Sequence, residues 1–342
     1  MGNVTHFLGI RFQWRQSQDS VSVDMSQQAF TEQLIASAGL DLESATTKPS
    51  PFRSGLPIDS LPYTTLSPNE HQSLQTQLRS YIGSLLWLAQ VTRPDLAVIA
   101  NLLSQRQNQP STQLITAAKH IIKYLKGTSS MGISFHTHSH LSIKSFIHFP
   151  IDTAKIFAVS DANWGPQDQS VLKPNSKQQT VPLTTSRSIS GHMIFLHGPL
   201  HWSAKRQSIT ARSTAESEIY ATDQCVKDIL HLSHIIKDLN LTKELLNQPT
   251  KIFNDNMACV QWSNNRTNRN IRHIQIRENA TRESVQNKTV TVQHVDGKTN
   301  PADIFTKEQN DVNNFLALRD IISSHPFPDS SIIASPSKTL RP

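Results

Sequence analysis

The order of strand-like and helical stretches after residue 150 limits the fold of this 342-residue chain more than any other feature. Alternating or short apolar stretches predict five β-strands, at residues 156–160, 189–196, 200–204, 251–254 and 289–295. Periodicity and capping residues predict a long helix over 214–239, a second from Asn256 and a last one opened by Asn300-Pro301. The resulting order, βββ-α-β-α-β-α, predicts an α/β fold, that is, an α+β mixed sheet covered by helices.

The first 150 residues carry a different pattern. Residues 8–12 alternate like a strand, and Val21 and Val23 suggest its hairpin partner. Four prolines within 46–66 predict a linker or long loop, and helices follow. The clearest helix is capped by Ser111 or Thr112 and has one apolar face, formed by Leu114, Ile115, Ala118, Ile121, Ile122 and Leu125.

Basic residues are unevenly distributed in the chain, whose net charge is +7. No acidic residue occurs between Asp95 and Asp152, whereas five basic residues do: Arg106, Lys119, Lys123, Lys126 and Lys144. A stretch of one sign on a folded segment is typical of a surface that faces phosphates. A patch that only aids solubility would look the same, but the pattern favours nucleic acid as a partner.

Three classes of protein are disfavoured. The longest apolar run, residues 82–91, is too short to span a bilayer. The N-terminus has neither the basic nor the apolar region of a secretory signal, which predicts an intracellular protein of the cytoplasm or nucleus. Cys225 and Cys259 are too few for a disulfide scaffold or a cysteine-based zinc module.

Four carboxylates occupy positions from which they can converge at one sheet edge. Asp161 and Asp255 close the first and fourth predicted strands; Glu218 lies early in the long helix and Asp303 in the first turn of the last one. Oxygen ligands of this kind suit Mg²⁺ or Mn²⁺. Two such ions about 4 Å apart stabilise the attacking and leaving oxygens of phosphodiester hydrolysis. Taken singly, each aspartate could instead form a turn or complement a helix dipole.

Ordered motifs over residues 1–320 carry a resemblance to a known family. The matching segments of the second half are 160–165 (SDANWG), 186–191 (SRSISG), 202–207 (WSAKRQ), 213–220 (STAESEIY), 254–256 (NDN), 272–277 (RHIQIR) and 302–307 (ADIFTK). Those of the first half are 7–10 (FLGI), 81–89 (YIGSLLWLA), 92–95 (TRPD) and 123–128 (KYLKGT). With these motifs the chain resembles the C-terminal part of the reverse transcriptase and the RNase H domain of copia-type (Ty-like) retrotransposon Pol polyproteins.

The resemblance implies an RNase H-like domain at 150–310 that cuts RNA in RNA–DNA hybrids. Its two metal ions, Mg²⁺ or Mn²⁺, would be held by Asp161, Glu218, Asp255 and Asp303. The resemblance further implies the end of a polymerase palm and a linker at 1–60, a helical thumb or connection-like segment at 61–149, and a final helix end with a disordered tail at 311–342. The chain departs from the family at Asn163, where the family has an aspartate.

The family polymerase needs a paired Asp-Asp in its palm, and no such pair occurs in this sequence. We therefore expect a fragment or degraded copy of a Pol polyprotein, without polymerase activity of its own. Its expected partners are the RNA–DNA hybrid and the missing polymerase part, and no membrane. The residues predicted to contact nucleic acid are Lys119, Lys123, Lys126, Lys205, Arg206, Arg272 and Arg277.

Two other functions remain open at this point. A catalytically inactive, nucleic-acid-binding remnant of a Pol polyprotein would keep the same motifs. An integrase or transposase shares the fold class, but it uses three acids with the glutamate late in the chain. The order here is Asp, Glu, Asp, Asp, which argues against that choice.

Glu216 and Glu218 compete for the role of ligand. They are two residues apart on one predicted helix and therefore point about 200° apart. Ser213 precedes Glu216 by three residues, the spacing of a capping box in which the Glu216 carboxylate reaches back to the Ser213 amide. Glu216 is thus predicted to cap the helix, which leaves Glu218 as the ligand.

Overall fold

The computed structural model describes residues 3–41, 46–53, 56–58, 61, 66–137, 154–165, 187–264 and 279–324. Its first half contains, in chain order, β1 (His6–Phe7), β2 (Ile10–Gln16), β3 (Val21–Ser26), α1 (Gln28–Ser37), α2 (Pro68–Val91), α3 (Ala97–Gln105), α4 (Thr112–Gly127) and β4 (Ile133–His136). Its second half contains β5 (Phe157–Asn163), β6 (Ile189–Phe195), β7 (Pro199–Arg206), α5 (Thr214–Asp238), α6 (Thr242–Leu245), β8 (Thr250–Asn254), α7 (Met257–Asn264), α8 (Asn279–Gln286), β9 (Val290–His294) and α9 (Val312–Ile322).

The C-terminal sheet has the strand order β7-β6-β5-β8-β9. Strands β5, β6 and β7 form an antiparallel meander, whereas β8 runs parallel to β5, and β9 parallel to β8. The chain passes through α5 between the meander and the parallel pair. This mixed sheet confirms the predicted α/β class, and all five predicted strands are present with slightly different ends.

Strand alternation gives this sheet two different apolar faces. On one face, side chains of β5, β6 and β8 pack with residues of α5: Ala158, Ile194 and Ile252 with Cys225, Val226 and Ile229. On the other face, Phe157 of β5 stacks on Phe195 of β6 with ring centroids 4.8 Å apart. Because both faces are apolar, the sheet is buried between α5 and the N-terminal half.

In the described residues of the N-terminal half, a four-stranded sheet, in the order β1-β2-β3-β4, lies with helices α1 to α4. The predicted hairpin is confirmed as β2 and β3, in which Trp14 pairs with Val23. The predicted cap of α4 is also confirmed, because the Leu114 amide donates to Ser111 Oγ at 3.2 Å. All six predicted apolar positions of α4 are buried.

One cluster of buried apolar side chains crosses the predicted boundary at residue 150. It contains residues of α1 to α4, of the second face of the C-terminal sheet and of α9. Trp202 of β7 also donates its indole N–H to the Ala89 carbonyl of α2 at 2.7 Å. The two halves therefore share a core, and the predicted domain limits at residues 60, 149 and 310 stay predictions.

The prediction of one helix opened by Asn300-Pro301 is wrong in its length. Asn300 does cap a helix, accepting the Ala302 amide at 3.1 Å, but this is a five-residue 3-10 helix, Pro301–Phe305. It packs closely on β6, where an added Cβ at Gly191 would lie 2.5 Å from Phe305 Cβ. Helix α9 then forms separately, and its buried Phe315 meets Tyr124 of α4 edge-on, with ring centroids 5.8 Å apart.

Candidate active site

Three of the four predicted carboxylates converge at one end of the C-terminal sheet. Asp161 lies in β5 and Asp255 directly follows β8, and since these strands are adjacent and parallel, their C-terminal ends meet at one edge. Glu218 lies in the second turn of α5, which packs on β5. Carboxylate oxygens of Asp161, Glu218 and Asp255 all lie within 4.8 Å of one another and could hold a metal ion.

Asp303 borders this group through a lysine. Its Oδ1 accepts a hydrogen bond from Lys307 Nζ at 2.7 Å, and the same ammonium group is 3.8 Å from Asp161 Oδ2. Burial is the main cause of the raised pKa of Asp161 and of Asp255, and the negative charge of Asp303 raises both further, so Asp303 belongs electrostatically with these acids. That Asp303 is a direct ligand stays a prediction.

Polar neighbours hold the buried acids in place. Thr306 donates its hydroxyl to Asp161 Oδ2. Asn254 donates its side-chain amide to Glu218 Oε2 at 3.0 Å, and the backbone of Ala162 hydrogen-bonds the same carboxylate. Sequence reasoning did not assign these roles. The sequence does hold one indication of these roles, because Asn254 is adjacent to Asp255 and Thr306 lies in the same short motif as Asp303.

The electrostatics of the group fit a divalent cation. Burial, assisted by the neighbouring carboxylates, raises the pKa of Asp161 to about 7 and that of Glu218 to about 9. Burial also raises the pKa of Asp255. Ionising all three together is therefore unfavourable unless positive charge is near, and an oxygen-only donor set suits Mg²⁺ or Mn²⁺. Gly297 leaves room beside the group, because a Cβ there would lie 2.8 Å from Asp255 Oδ2.

Glu216 does not belong to this group. As predicted, Ser213 Oγ accepts the Glu216 amide at 3.1 Å. The predicted return bond to the Ser213 amide is wrong, because the Glu216 carboxylate accepts the Arg212 amide instead, at 2.6 Å. Glu216 still satisfies a backbone N–H just before α5, which agrees with a capping role and leaves Glu218 to the acid cluster.

The predicted nucleic-acid contacts lie in several places. Three lysines (Lys119, Lys123 and Lys126) are half-exposed on α4, which packs against α1 and α2. Lys205 is exposed on β7. Arg206 joins β7 to α3, because its Nε donates to Gln105 Oε1 at 2.6 Å. Arg272 and Arg277 lie outside the described residues. Binding of nucleic acid by any of these residues stays a prediction.

The sheet order and the acid cluster define an RNase H-like α/β fold with a candidate metal site. No protein-family model matches the chain. It is 28% identical to the Pol polyprotein of transposon RE2 from Arabidopsis thaliana over 83% of this chain and 17% of that protein. It is 22% identical to the Pol polyprotein of transposon TNT 1-94 from Nicotiana tabacum, over 88% of this chain and 20% of that protein.

A shorter relative is the uncharacterized mitochondrial protein AtMg00810 of Arabidopsis thaliana, 28% identical over 65% of this chain and 75% of that protein. The homologues are thus copia-type retrotransposon Pol polyproteins and related chains, which confirms the resemblance noted from the motifs. The chain spans about a fifth or less of the two polyproteins' length. Within the described residues, no helix combines the length and apolar character needed to cross a membrane.

Proposed function

We propose that the C-terminal half is a metal-dependent ribonuclease H that hydrolyses the RNA strand of RNA–DNA hybrids. The observation that carries this proposal is the convergence of Asp161, Glu218 and Asp255 at the end of adjacent parallel strands. The metal is Mg²⁺ or Mn²⁺, bound as two ions, with Asp303 as the fourth acid. When bound, two such ions stabilise charge on the attacking and leaving oxygens of a phosphodiester.

The protein's own residues supply the rigid frame for this chemistry. Thr306 and Asn254 fix the orientations of Asp161 and Glu218 by hydrogen bonds, so the carboxylates need little rearrangement to accept cations. Lys307 lies next to Asp303, at the side of the acid cluster, and its positive charge partly offsets the negative charge of the cluster. The polymerase reaction is not part of the proposal, because the chain lacks a paired Asp-Asp.

The second candidate function is binding of nucleic acid without cleavage. A gel assay on a labelled RNA–DNA hybrid with Mg²⁺ separates the two. Cleavage of the RNA strand supports the proposal, and binding without cleavage by well-folded protein contradicts it and favours the remnant. Strand transfer of DNA in the same reactions would identify an integrase-like activity.

Metal ions should change how the protein's stability depends on pH. The pKa values of Asp161 and Glu218 in the folded state, about 7 and about 9, exceed the ordinary values of 3.8 and 4.5. The folded state therefore holds these two protons more tightly than the unfolded state does. The resulting contribution to the free energy of unfolding is fully present below about pH 4 and is lost as the pH rises through 7 and 9. In a chelator, we expect the melting temperature to fall over this range, and 10 mM Mg²⁺ or Mn²⁺ to reduce the fall.

The matched control is the double variant Asp161→Asn, Glu218→Gln, which has no charge to neutralise at these two positions. It should show a shallower pH dependence in chelator and a smaller response to the ions. Identical curves for the two proteins, with and without metal, would show that the acid cluster does not bind the cations.

The lysines of α4 should contribute to hybrid binding without sequence preference, because phosphate contacts carry no base information. Replacing Lys119, Lys123 and Lys126 by Gln should weaken binding and reduce the salt dependence by up to about three phosphate equivalents. Fluorescence anisotropy at several salt concentrations measures this slope. A control variant with three other exposed lysines replaced (Lys237, Lys251 and Lys288) should keep it. An unchanged slope in the α4 variant would show that this face does not meet nucleic acid.

A further inference from the structure

A second group of potential metal ligands lies on the C-terminal sheet, away from the acid cluster. It consists of His192 on β6, His201 on β7 and Asp228 on α5, with one ligand atom of each within 4.8 Å of the others. Asp228 is ten residues beyond Glu218 on α5, which is about 15 Å along a helix axis. The two groups therefore share no residue and occupy different parts of the sheet.

The strand register explains how the histidines meet. His201 pairs with Ile194, which is two residues from His192 on β6, so the two histidines are diagonal neighbours on one face. Ile194 on this face packs against α5, and this packing brings Asp228 of α5 next to the two histidines. The ring centroids of His192 and His201 are 5.9 Å apart.

The ligand atoms are already close to the spacing of a metal site. Asp228 Oδ2 is 2.8 Å from His192 Nε2 and 3.1 Å from His201 Nε2. Neighbouring ligands of a tetrahedral ion with bonds near 2.0 Å are about 3.3 Å apart. Small side-chain rotations would thus open room for an ion between the three atoms.

Burial and charge prepare these groups to bind a cation. His192 is 2% exposed, and its Nδ1 has no hydrogen-bond partner among the described residues, so the polar contact of this ring is with Asp228. Burial lowers the pKa of His192, which keeps the imidazole neutral at pH 7. Both imidazoles hydrogen-bond Asp228 Oδ2 through Nε2, and a bound ion would replace these two bonds. The side chains of His201 and Asp228 are 49% and 39% exposed, which gives an ion access from solvent.

We propose that His192, His201 and Asp228 bind one divalent transition-metal ion, preferentially Zn²⁺, with a fourth position open to water. Two imidazole nitrogens and a carboxylate oxygen are a donor set that suits Zn²⁺, whereas the acid cluster offers oxygen alone. The bound ion would link the edge strand β7, through His201, to α5, through Asp228. Because β7 carries Trp202, which bonds to α2, the ion would also support the contact between the two halves.

Zinc binding to the full chain, purified without a histidine tag and freed of metal, tests the proposal. Zn²⁺ is titrated in competition with a chromophoric zinc chelator, in excess Mg²⁺ to occupy the acid cluster. We expect one Zn²⁺ per chain, with at least tenfold weaker binding by His201→Ala and by Asp228→Asn. The first control is His234→Ala, which removes an exposed histidine of α5, the helix that carries Asp228. The second control is Glu218→Gln, which alters only the acid cluster. Both should bind Zn²⁺ as wild type does.

Co²⁺ gives an independent readout, because four-coordinate Co²⁺ has a strong visible absorption band that His201→Ala should lose. His201 is half-exposed, so this variant should fold, and circular dichroism checks that it does. If Asp228→Asn fails to fold, His201→Ala decides alone. Absence of stoichiometric Zn²⁺ binding, or equal binding by wild type and folded His201→Ala, would overturn the proposal and leave a hydrogen-bonded network.

Discussion

Glu218→Gln is expected to abolish hybrid cleavage while leaving the protein as stable as wild type or more stable. Glu218 is 6% exposed and shares its surroundings with Asp161 and Asp255, so its negative charge is unfavourable without bound cations. Glutamine keeps nearly the same volume and removes this repulsion, but it also removes a charged oxygen ligand. Cleavage of a labelled hybrid in Mg²⁺ and a thermal melt in chelator measure the two effects.

Glu216→Ala provides the matched control on the same helix. Its carboxylate satisfies the Arg212 amide just before α5, so we expect a loss of about 0.5–2 kcal/mol in the free energy of unfolding. Cleavage by the folded variant should stay close to that of wild type. If Glu216→Ala abolishes cleavage in a protein that melts normally while Glu218→Gln still cuts, the assignment of the two glutamates is reversed.

Asp95→Ala is expected to destabilise the protein by about 3–5 kcal/mol, because it leaves a buried guanidinium group without its partner. Arg93 and Asp95 are 1% and 0% exposed. Arg93 bonds both carboxylate oxygens, from Nε to Oδ1 at 3.0 Å and from Nη2 to Oδ2 at 2.8 Å. Tyr124 of α4 donates its hydroxyl to the same carboxylate at 2.6 Å. This network joins the end of α2 to α4 in the shared core.

Urea unfolding measures this effect, and a second ion pair of the chain serves as its control. Arg319 and Asp320 form a pair at 2.8 Å in which the Asp320 side chain is 59% exposed. Asp320→Ala should cost less than Asp95→Ala, because the Asp320 carboxylate is exposed and water can take its place beside Arg319, whose side chain is 11% exposed. Equal losses for the two variants would show that burial does not determine the strength of the Arg93–Asp95 pair. An Asp95→Ala loss below 1 kcal/mol would contradict the prediction directly.

The sequence alone predicts most of the local structure and three acids whose carboxylates come together. Alternation and helical periodicity predict the strands β5 to β9 and helix α5, because each depends only on the spacing of apolar residues within one segment. Capping residues predict the starts of α4 and α5 for the same reason, since Ser111 and Ser213 bond amides three residues away. Positions at the ends of predicted strands and the start of a predicted helix, together with the family motifs, point to Asp161, Glu218 and Asp255, whose carboxylates the fold brings together.

Only the tertiary structure decided which distant segments share a site or a core. Lys307 is 3.8 Å from Asp161 Oδ2 and Thr306 bonds Asp161, although both residues are more than 140 positions from Asp161 in the sequence. The core shared by both halves, the separate helix α9 and the pairing of His192 with His201 and Asp228 likewise depend on strand register and helix packing. No local spacing encodes these contacts, because each arises when the two faces of one sheet are covered by elements remote in the chain.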